Sequence, residues 1–437
     1  MHLKKRLLIM VVVIALASFL TVNVFSATVM TQSDLKFDPN KYKGKEITVW
    51  QWWPEGTTSD IKELPTPKQA RENFEKLTGA KVKIVYVTWN DYQSKLIPTI
   101  MAGKGADIIW GGDDYKPTWM YKKLLMPLDK YINFKDKKFM ASVTWDKLVL
   151  DTMTWKNQHY AVGSAGLLRN RLYYNKEMFE LNGLEDPLEL YKKGKWTWQK
   201  FWQLGQELTQ DTNGDGKIDV WGYISWWRDQ WLTSNGVEIV KYVGGKPKLI
   251  LDSPKAVRAF QAASDTINKY KIEPTVWWDP DPQQQFLNGK SAMDYWGDWD
   301  MASFRDKMGK KLGVVPFPKG PDLVGKKAAD TANLTVQMMA SSCKYPELAG
   351  WYLMYNGLRN RADEDSLWEK YYEGLYGGKA IYNVIKDASK YQSTYPTAGL
   401  GSDVSNLINN IWNSSNPAKE IKAQAPKIQA ALDKLFK

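Results

Sequence analysis

The chain of 437 residues is 43% hydrophobic and 25% charged, with a formal net charge of +12, and is long enough to bury two cores rather than one. A single cysteine, Cys343, excludes an intramolecular disulfide framework, and two histidines, His2 and His159, leave too few imidazoles for a His-built zinc site or a Ser-His-Asp triad. Lysines and acids are interspersed with no Arg-rich or RNP-like motif, which argues against a nucleic-acid partner and for a lysine-rich soluble surface.

In chain order, the first element reads as an export signal. Lys4, Lys5 and Arg6 form a basic start, Leu7 to Leu20 an apolar run, and Ser26 and Ala27 a small-residue site, with cleavage expected after Ser26. No cysteine follows the run, so a lipid-attached mature terminus is not expected; an uncleaved signal would act as a membrane anchor. The mature chain stays basic and is expected outside the cytoplasmic membrane, in the periplasm or on the extracellular side. A polar linker is expected up to Lys45, then a strand through Ile47, Thr48, Val49 and Trp50. A helix follows with Ala70, Phe74 and Leu77 ahead of Gly79, then a strand through Val82, Ile84 and Tyr86, a helix with Tyr92, Leu96 and Ile100, and a buried strand from Ala106 to Trp110. This β-α-β-α-β order predicts a mostly parallel sheet covered by helices, with ligands at the carboxyl ends of its strands.

The segments at those ends are Gln51, Trp52, Trp53, Pro54, Glu55 and Gly56, and then Gly111, Gly112, Asp113, Asp114 and Tyr115. Further along, Thr197 caps a helix carrying Trp198, Phe201, Trp202 and Leu208, whose tryptophans read as core. Ser253 and Pro254 open another helix with Val257, Phe260 and Ile267. The C-terminal hundred residues are helical in pattern, with Val404, Leu407, Ile408 and Ile411. Many of the 22 tryptophans stand beside Gly, Asp or Pro rather than inside periodic apolar runs. A tryptophan so placed at a strand end can offer its face to a ligand.

Several segments, taken in sequence, resemble the extracellular solute-binding proteins of ABC importers, the large family that includes maltose-binding protein. They are Gly105-Ala106-Asp107-Ile108-Ile109-Trp110, Tyr173-Tyr174-Asn175-Lys176-Glu177-Met178-Phe179 with Asn182-Gly183-Leu184, and Trp196-Thr197-Trp198. After these come the Asp211 to Asp219 loop, Phe286-Leu287-Asn288-Gly289-Lys290-Ser291-Ala292-Met293 with Gly297 and Trp299, and Gly313-Val314-Val315-Pro316-Phe317-Pro318. The resemblance implies an α/β, two-lobed periplasmic-binding-protein fold, each lobe a mostly parallel sheet flanked by helices, with a hinge of crossing strands. Crossings are expected near Tyr160 and Ala161, near Asp330 to Asn333, and near Gln392. The expected division is a first lobe from 42–160 and 333–390 and a second from 161–330 and 395–437, after a signal at 1–26.

The resemblance also implies a monomer that closes around a solute and is recognised by membrane permease subunits. By motif, Trp299 after Gly297 matches a sugar-stacking tryptophan and Asp114 a hydroxyl-binding aspartate; Asp298 stands where a proline is common. Further candidates for a carbohydrate ligand are Trp52, Trp53, Glu55, Asp113, Tyr115, Trp226, Trp227, Arg228, Trp278 and Trp296. The chemistry is consistent, because a pyranose offers apolar C–H faces to aromatic rings and hydroxyl edges to carboxylates and amides. The abundance of tryptophan leans toward an oligosaccharide.

Asp211, Asn213, Asp215, the Lys217 carbonyl and Asp219 fall at calcium-loop positions one, three, five, seven and nine, with Gly216 at six. Gly222 stands where the bidentate glutamate of position twelve would be. A structural Ca2+ is the expected cofactor; an Asx-rich turn without metal is the alternative. The competing function is an exported glycoside hydrolase using Asp113 and Asp114, or Asp298 and Asp300, although sequence neighbours are poorly placed to flank a scissile bond. A surface adhesin would carry repeats or anchoring signals, and none is apparent.

Overall fold

The computed structural model describes residues 29–112, 118–164, 170–243, 246–275, 281–323, 331–332, 334–391, 393–394, 400 and 402–435. The expected export signal therefore lies outside the described residues.

The first lobe grows from the predicted alternation. Strand β1 (Glu46–Gln51) buries Ile47 and Val49 and pairs in parallel with β2 (Lys81–Tyr86) and β3 (Ile108–Gly111). Helix α1 (Pro67–Thr78) starts where Thr66 and Gln69 exchange side-chain and backbone hydrogen bonds ahead of Pro67. It stops at Gly79, whose φ of 67° is open to glycine at no steric cost. Helix α2 (Trp89–Met101) then buries Tyr92, Leu96 and Ile100 on one face, as the spacing predicts.

Strand β4 (Ala161–Ser164) still belongs to this sheet, whereas β5 (Asn170–Asn175) belongs to the second. The chain thus leaves the first sheet later than the crossing expected at Tyr160 and Ala161, since Ala161 to Ser164 still pair in it. The apolar Ala161 and Val162, both fully buried, complete the first sheet before the chain leaves it.

The second lobe adds helix α3 (Trp198–Leu208), β6 (Ile224–Ser225), helix α4 (Pro254–Asn268), β7 (Met293–Gly297) and β8 (Leu312–Val315). Trp198 and Phe201 of α3 are core, as expected, and Ser253 caps α4 through the Ala256 amide. Strand β9 (Thr331–Ala332) lies at the second predicted crossing, and β10 (Thr335–Met339) then re-enters the first sheet. Helices α5 (Pro346–Gly357), α6 (Glu364–Leu375) and α7 (Lys379–Ala388) follow, then β11 (Ser393–Thr394), which pairs in parallel with β9 next to the third expected crossing. Helices α8 (Ser402–Trp412) and α9 (Pro417–Leu435) close the second lobe.

Strand order is β2-β1-β3-β10-β4 in the first sheet and β8-β5-β7-β6 in the second. In each, one strand runs against the others: β10 in the first and β5 in the second. Both follow directly on a crossing. A strand leaving the hinge must run away from it, while the remaining strands run toward it and place their terminal loops there. Both sheets are covered on two faces; in β5 the core of one face takes Leu172 and Tyr174 and that of the other Tyr173.

Two expectations about the borders change. Residues 30–45 are not a free polar linker, because Leu35, Phe37 and Tyr42 pack on the first core and Phe37 stacks on Trp351 at 4.7 Å. The segment 333–390 is divided between the lobes: Leu358 lies in the first core, but Tyr376, Tyr382 and Ile385 bury beside Tyr173, Phe304 and Val314 of the second.

Candidate functional site

At the hinge-side end of the first sheet, β1 runs into Trp52 and Trp53. The ring of Trp52 meets Trp53 at 4.9 Å, Trp89 at 4.9 Å and Tyr92 at 5.3 Å, and Trp53 meets Trp110 at 5.2 Å, all edge to face. Edge-to-face contact suits ring quadrupoles and leaves faces available. The Tyr92 hydroxyl lies 2.8 Å from the Trp50 carbonyl and 2.9 Å from that of Trp110, so it fastens the ends of β1 and β3 together beneath the cluster. Glu55 is differently placed. Its carboxylate accepts from Arg71 Nε at 2.7 Å and Nη2 at 3.2 Å, a two-pronged pair with α1 that commits it to the fold rather than to a ligand. Asp113, Asp114 and Tyr115, like Trp278, lie outside the described residues.

The second lobe presents its own cluster at the corresponding end. Trp227 lies 5.1 Å from Trp296 and 6.0 Å from Trp299, and the last two are 6.4 Å apart. Trp299 is 44% exposed, unusual for so large an apolar side chain. Its ring lies over Gly297, where a Cβ would stand 2.1 Å from it, so only glycine permits this placement. Trp296 Nε1 donates to Asp300 at 2.6 Å. The loop carrying Trp227 is held from below: buried Gln230 donates to the Trp227 carbonyl and to the Tyr223 hydroxyl, each at 2.7 Å, and Ser225 Oγ donates to the same carbonyl at 3.0 Å.

Trp227 also walls a cavity of about 650 Å³ between the 226–229 loop, the end of α4 and the end of α8. Its lining includes Trp226, Arg228, Asp229, Asn268, Asn409 and Asn413. Arg228 donates to the Trp412 carbonyl at 2.7 Å and to Asn413 Oδ1 at 3.3 Å, so its guanidinium is anchored to protein. An amide- and indole-lined cavity whose cation is already engaged suits a neutral, hydroxyl-bearing ligand better than an anion.

Asp298 does not occupy the role considered for a catalytic pair. Its side chain is 5% exposed and accepts from Arg171 Nε at 3.1 Å, Tyr173 at 2.7 Å and Tyr376 at 2.8 Å. A carboxylate so saturated is a structural anion.

Helix α6 supplies residues that sequence reasoning missed. Trp368, Tyr371 and Tyr372 form a contiguous aromatic face, with Trp368 and Tyr372 stacked at 5.7 Å. Burial pushes the Tyr372 phenol up to about 12, helped by the negative charges of Asp298 in the second lobe and Asp60 in the first. Burial and Asp60 raise Tyr371 as well. The Tyr372 ring packs on the second-lobe core and stacks on Tyr382 at 6.4 Å. The available signal was the i, i+3, i+4, i+8 spacing of Trp368, Tyr371, Tyr372 and Tyr376.

The Asp211 loop is wound by its own hydrogen bonds. Asp211 accepts from the amides of Gly214 at 2.7 Å and Gly216 at 2.8 Å, Asn213 from Asp215, and Asp215 from Lys217, each at 2.8 Å. Asp219 accepts from the Thr212 amide at 2.8 Å and hydroxyl at 2.7 Å. These bonds hold the Asp211 and Asp219 carboxyls below the usual carboxylate range. The oxygen donors fit a hard cation in kind and order. Among the described residues, however, no three His, Cys, Asp or Glu side chains are gathered closely enough to hold a metal ion. At Gly222 a Cβ would stand 2.2 Å from the Gly205 carbonyl oxygen, which explains why no glutamate occupies position twelve.

Residues 69–360 match the bacterial extracellular solute-binding protein family. A binding protein of Brucella abortus is 27% identical over 249 residues, 56% of this chain; the match spans 57% of the relative's length. Among solved structures, an ABC substrate-binding protein of Listeria monocytogenes in complex with cycloalternan superposes with a TM-score of 0.68 at 18% identity, covering 90% of this chain and 100% of that one. An extracellular solute-binding protein of Staphylococcus aureus in complex with maltose gives 0.64 at 19% identity over 91% of this chain and 100% of that one. The maltose/maltodextrin-binding domain from Bdellovibrio bacteriovorus, bound to maltotriose, gives 0.59 at 20% identity, covering 90% of this chain and 97% of that one.

Proposed function

The chain belongs to the bacterial extracellular solute-binding proteins, and from that membership we propose that it is an exported, non-catalytic receptor for a neutral carbohydrate. In this reading it closes as a monomer about its hinge and hands an oligosaccharide to the permease subunits of an ABC importer. The observation that carries the reading is the pair of tryptophan clusters, Trp52 with Trp53 and Trp227 with Trp296 and Trp299, at the hinge-side strand ends of the two lobes. Stacking platforms on both lobes favour a closed form, since only that form satisfies both sets of contacts at once. The sugars in the similar solved structures support the ligand class.

The test is a thermal-shift screen of the mature protein against a glycan panel. A ligand that binds the folded state raises apparent stability as RT ln(1 + [L]/Kd), about 2.7 kcal/mol at a hundredfold excess over Kd. At least one neutral oligosaccharide is expected to do so, and to be recovered intact after prolonged incubation. No shift across the panel, or turnover that scales with protein, would refute the proposal.

We also propose that Asp211, Asn213, Asp215, the Lys217 carbonyl and Asp219 take up a structural Ca2+, with Asp219 drawn from Thr212 toward the ion. Calcium is expected to raise the unfolding temperature of wild type and not of Asp215→Ala. Equal melting curves in calcium and in chelator would leave the loop a plain Asx-rich turn.

A further inference from the structure

Asp298 stands between Gly297 and Trp299, so its backbone carries the turn that sets the exposed indole, while its carboxylate accepts, among the described residues, from three donors on other elements. Arg171 and Tyr173 come from β5, the strand that enters the second sheet after the first crossing, and Tyr376 comes from the end of α6. One residue thus joins the Trp299 turn, through its backbone, to the strand next to the hinge and to the end of the helix bearing Trp368, Tyr371 and Tyr372, through its carboxylate. A buried anion held by these donors resists relative movement, because a shift that breaks one of the bonds weakens the satisfaction of a buried charge. The Arg305 guanidinium reinforces the arrangement by donating to the Leu375 carbonyl at 2.9 Å, one residue before Tyr376.

We propose that Asp298 is a positioning residue for ligand binding, fixing the spacing between the Trp299 platform and the aromatic face of α6, with Tyr376 as the link to the helix. The proposal rests on the carbohydrate reading above. It makes the α6 face part of the ligand's surroundings, and it assigns affinity to a hydroxyl that itself need not touch the sugar.

The experiment compares Tyr376→Phe with Tyr173→Phe. Each removes one hydroxyl from the same carboxylate and keeps the ring, so a merely structural role would affect both alike. Both are expected to fold with modestly lowered melting temperatures. Tyr376→Phe is expected to speed amide hydrogen exchange in residues 364–375 and to lower affinity for the best oligosaccharide of the panel about tenfold, mainly through faster dissociation. Tyr173→Phe is expected to leave exchange in α6 near wild type and affinity within about twofold. Asp298→Asn should reproduce the Tyr376→Phe pattern more strongly; should it not fold, the two tyrosine variants decide. Unchanged exchange in α6 on Tyr376→Phe, unchanged affinity, or equal affinity losses in the two variants would overturn the proposal. If wild type binds no sugar, the carbohydrate reading fails, while the exchange comparison still decides whether the carboxylate holds the helix.

Discussion

Trp299→Ala is expected to weaken sugar binding by about 1–3 kcal/mol, roughly 5- to 150-fold in Kd, while costing folding much less. The separation follows from its surroundings. At 44% exposure the indole leaves a large part of its surface outside the core, so truncation removes little burial from the folded state. Its contacts with Trp227 at 6.0 Å and Trp296 at 6.4 Å are peripheral, and its placement over Gly297 is set by backbone rather than by a packed shell. A sugar face laid on the ring would cover what is now exposed, so the loss appears in binding. Trp231, 1% exposed among Trp198, Trp202 and Phe317, is the contrasting case: Trp231→Ala should cost about 3–5 kcal/mol of stability through the cavity it leaves. Calorimetric titration with the best glycan and urea unfolding of both variants check the pair. Unaltered affinity in a folded Trp299→Ala protein removes that residue from the site.

How far the sequence carried depends on the range over which each signal acts. The first three strands and two helices were legible because apolar period, caps and stop residues all lie within a dozen positions, as with Thr66, Gln69 and Gly79 around α1. Gly297 and Trp299 stood out only through the family resemblance, and the packing of the ring over Gly297 was not read from the sequence. The first crossing was set too early because Tyr160, Ala161 and Val162 form an apolar run that local pattern cannot assign to one sheet or the next; pairing of Ala161 with Met338 decides it. The docking of residues 30–45 was hidden because Leu35, Phe37 and Tyr42 follow no period. The role of Asp298 could not be read at all, since its donors lie on β5 and, 78 residues away, on α6. Helix α6 showed an aromatic stripe, yet nothing local says which lobe it packs against; that depends on where Tyr376 finds its acceptor.

Glu273→Gln is expected to stabilise the protein by up to about 3 kcal/mol above pH 8 and to give no gain near pH 4. Glu273 is 3% exposed, one carboxyl oxygen is buried without a hydrogen-bond partner among the described residues, and the carboxyl is pushed up to about 7 by burial, which the positive charge of Arg228 only partly offsets. A carboxyl that holds its proton more tightly folded than unfolded makes the folded state the more protonated one between the two pKa values. Stability attributable to Glu273 is therefore full below about pH 4.5, falls as pH rises toward 7, and is lowest above it. Glutamine cannot ionise, so it escapes that fall, less the cost of burying an amide whose donors lack partners. Asp294, fully buried with neither carboxyl oxygen hydrogen-bonded among the described residues, is raised by burial in the same direction and remains in both proteins, so it cancels in the comparison. Urea unfolding at several pH values between 4 and 9 measures the difference; a gap between variant and wild type that does not widen with pH would show that Glu273 is not the group responsible. The same ionisation reaches the cavity, because an ionised Glu273 attracts the Arg228 guanidinium now donating to the Trp412 carbonyl and Asn413. Wild-type affinity for a ligand of that cavity should consequently vary with pH around neutrality, and affinity in Glu273→Gln should not.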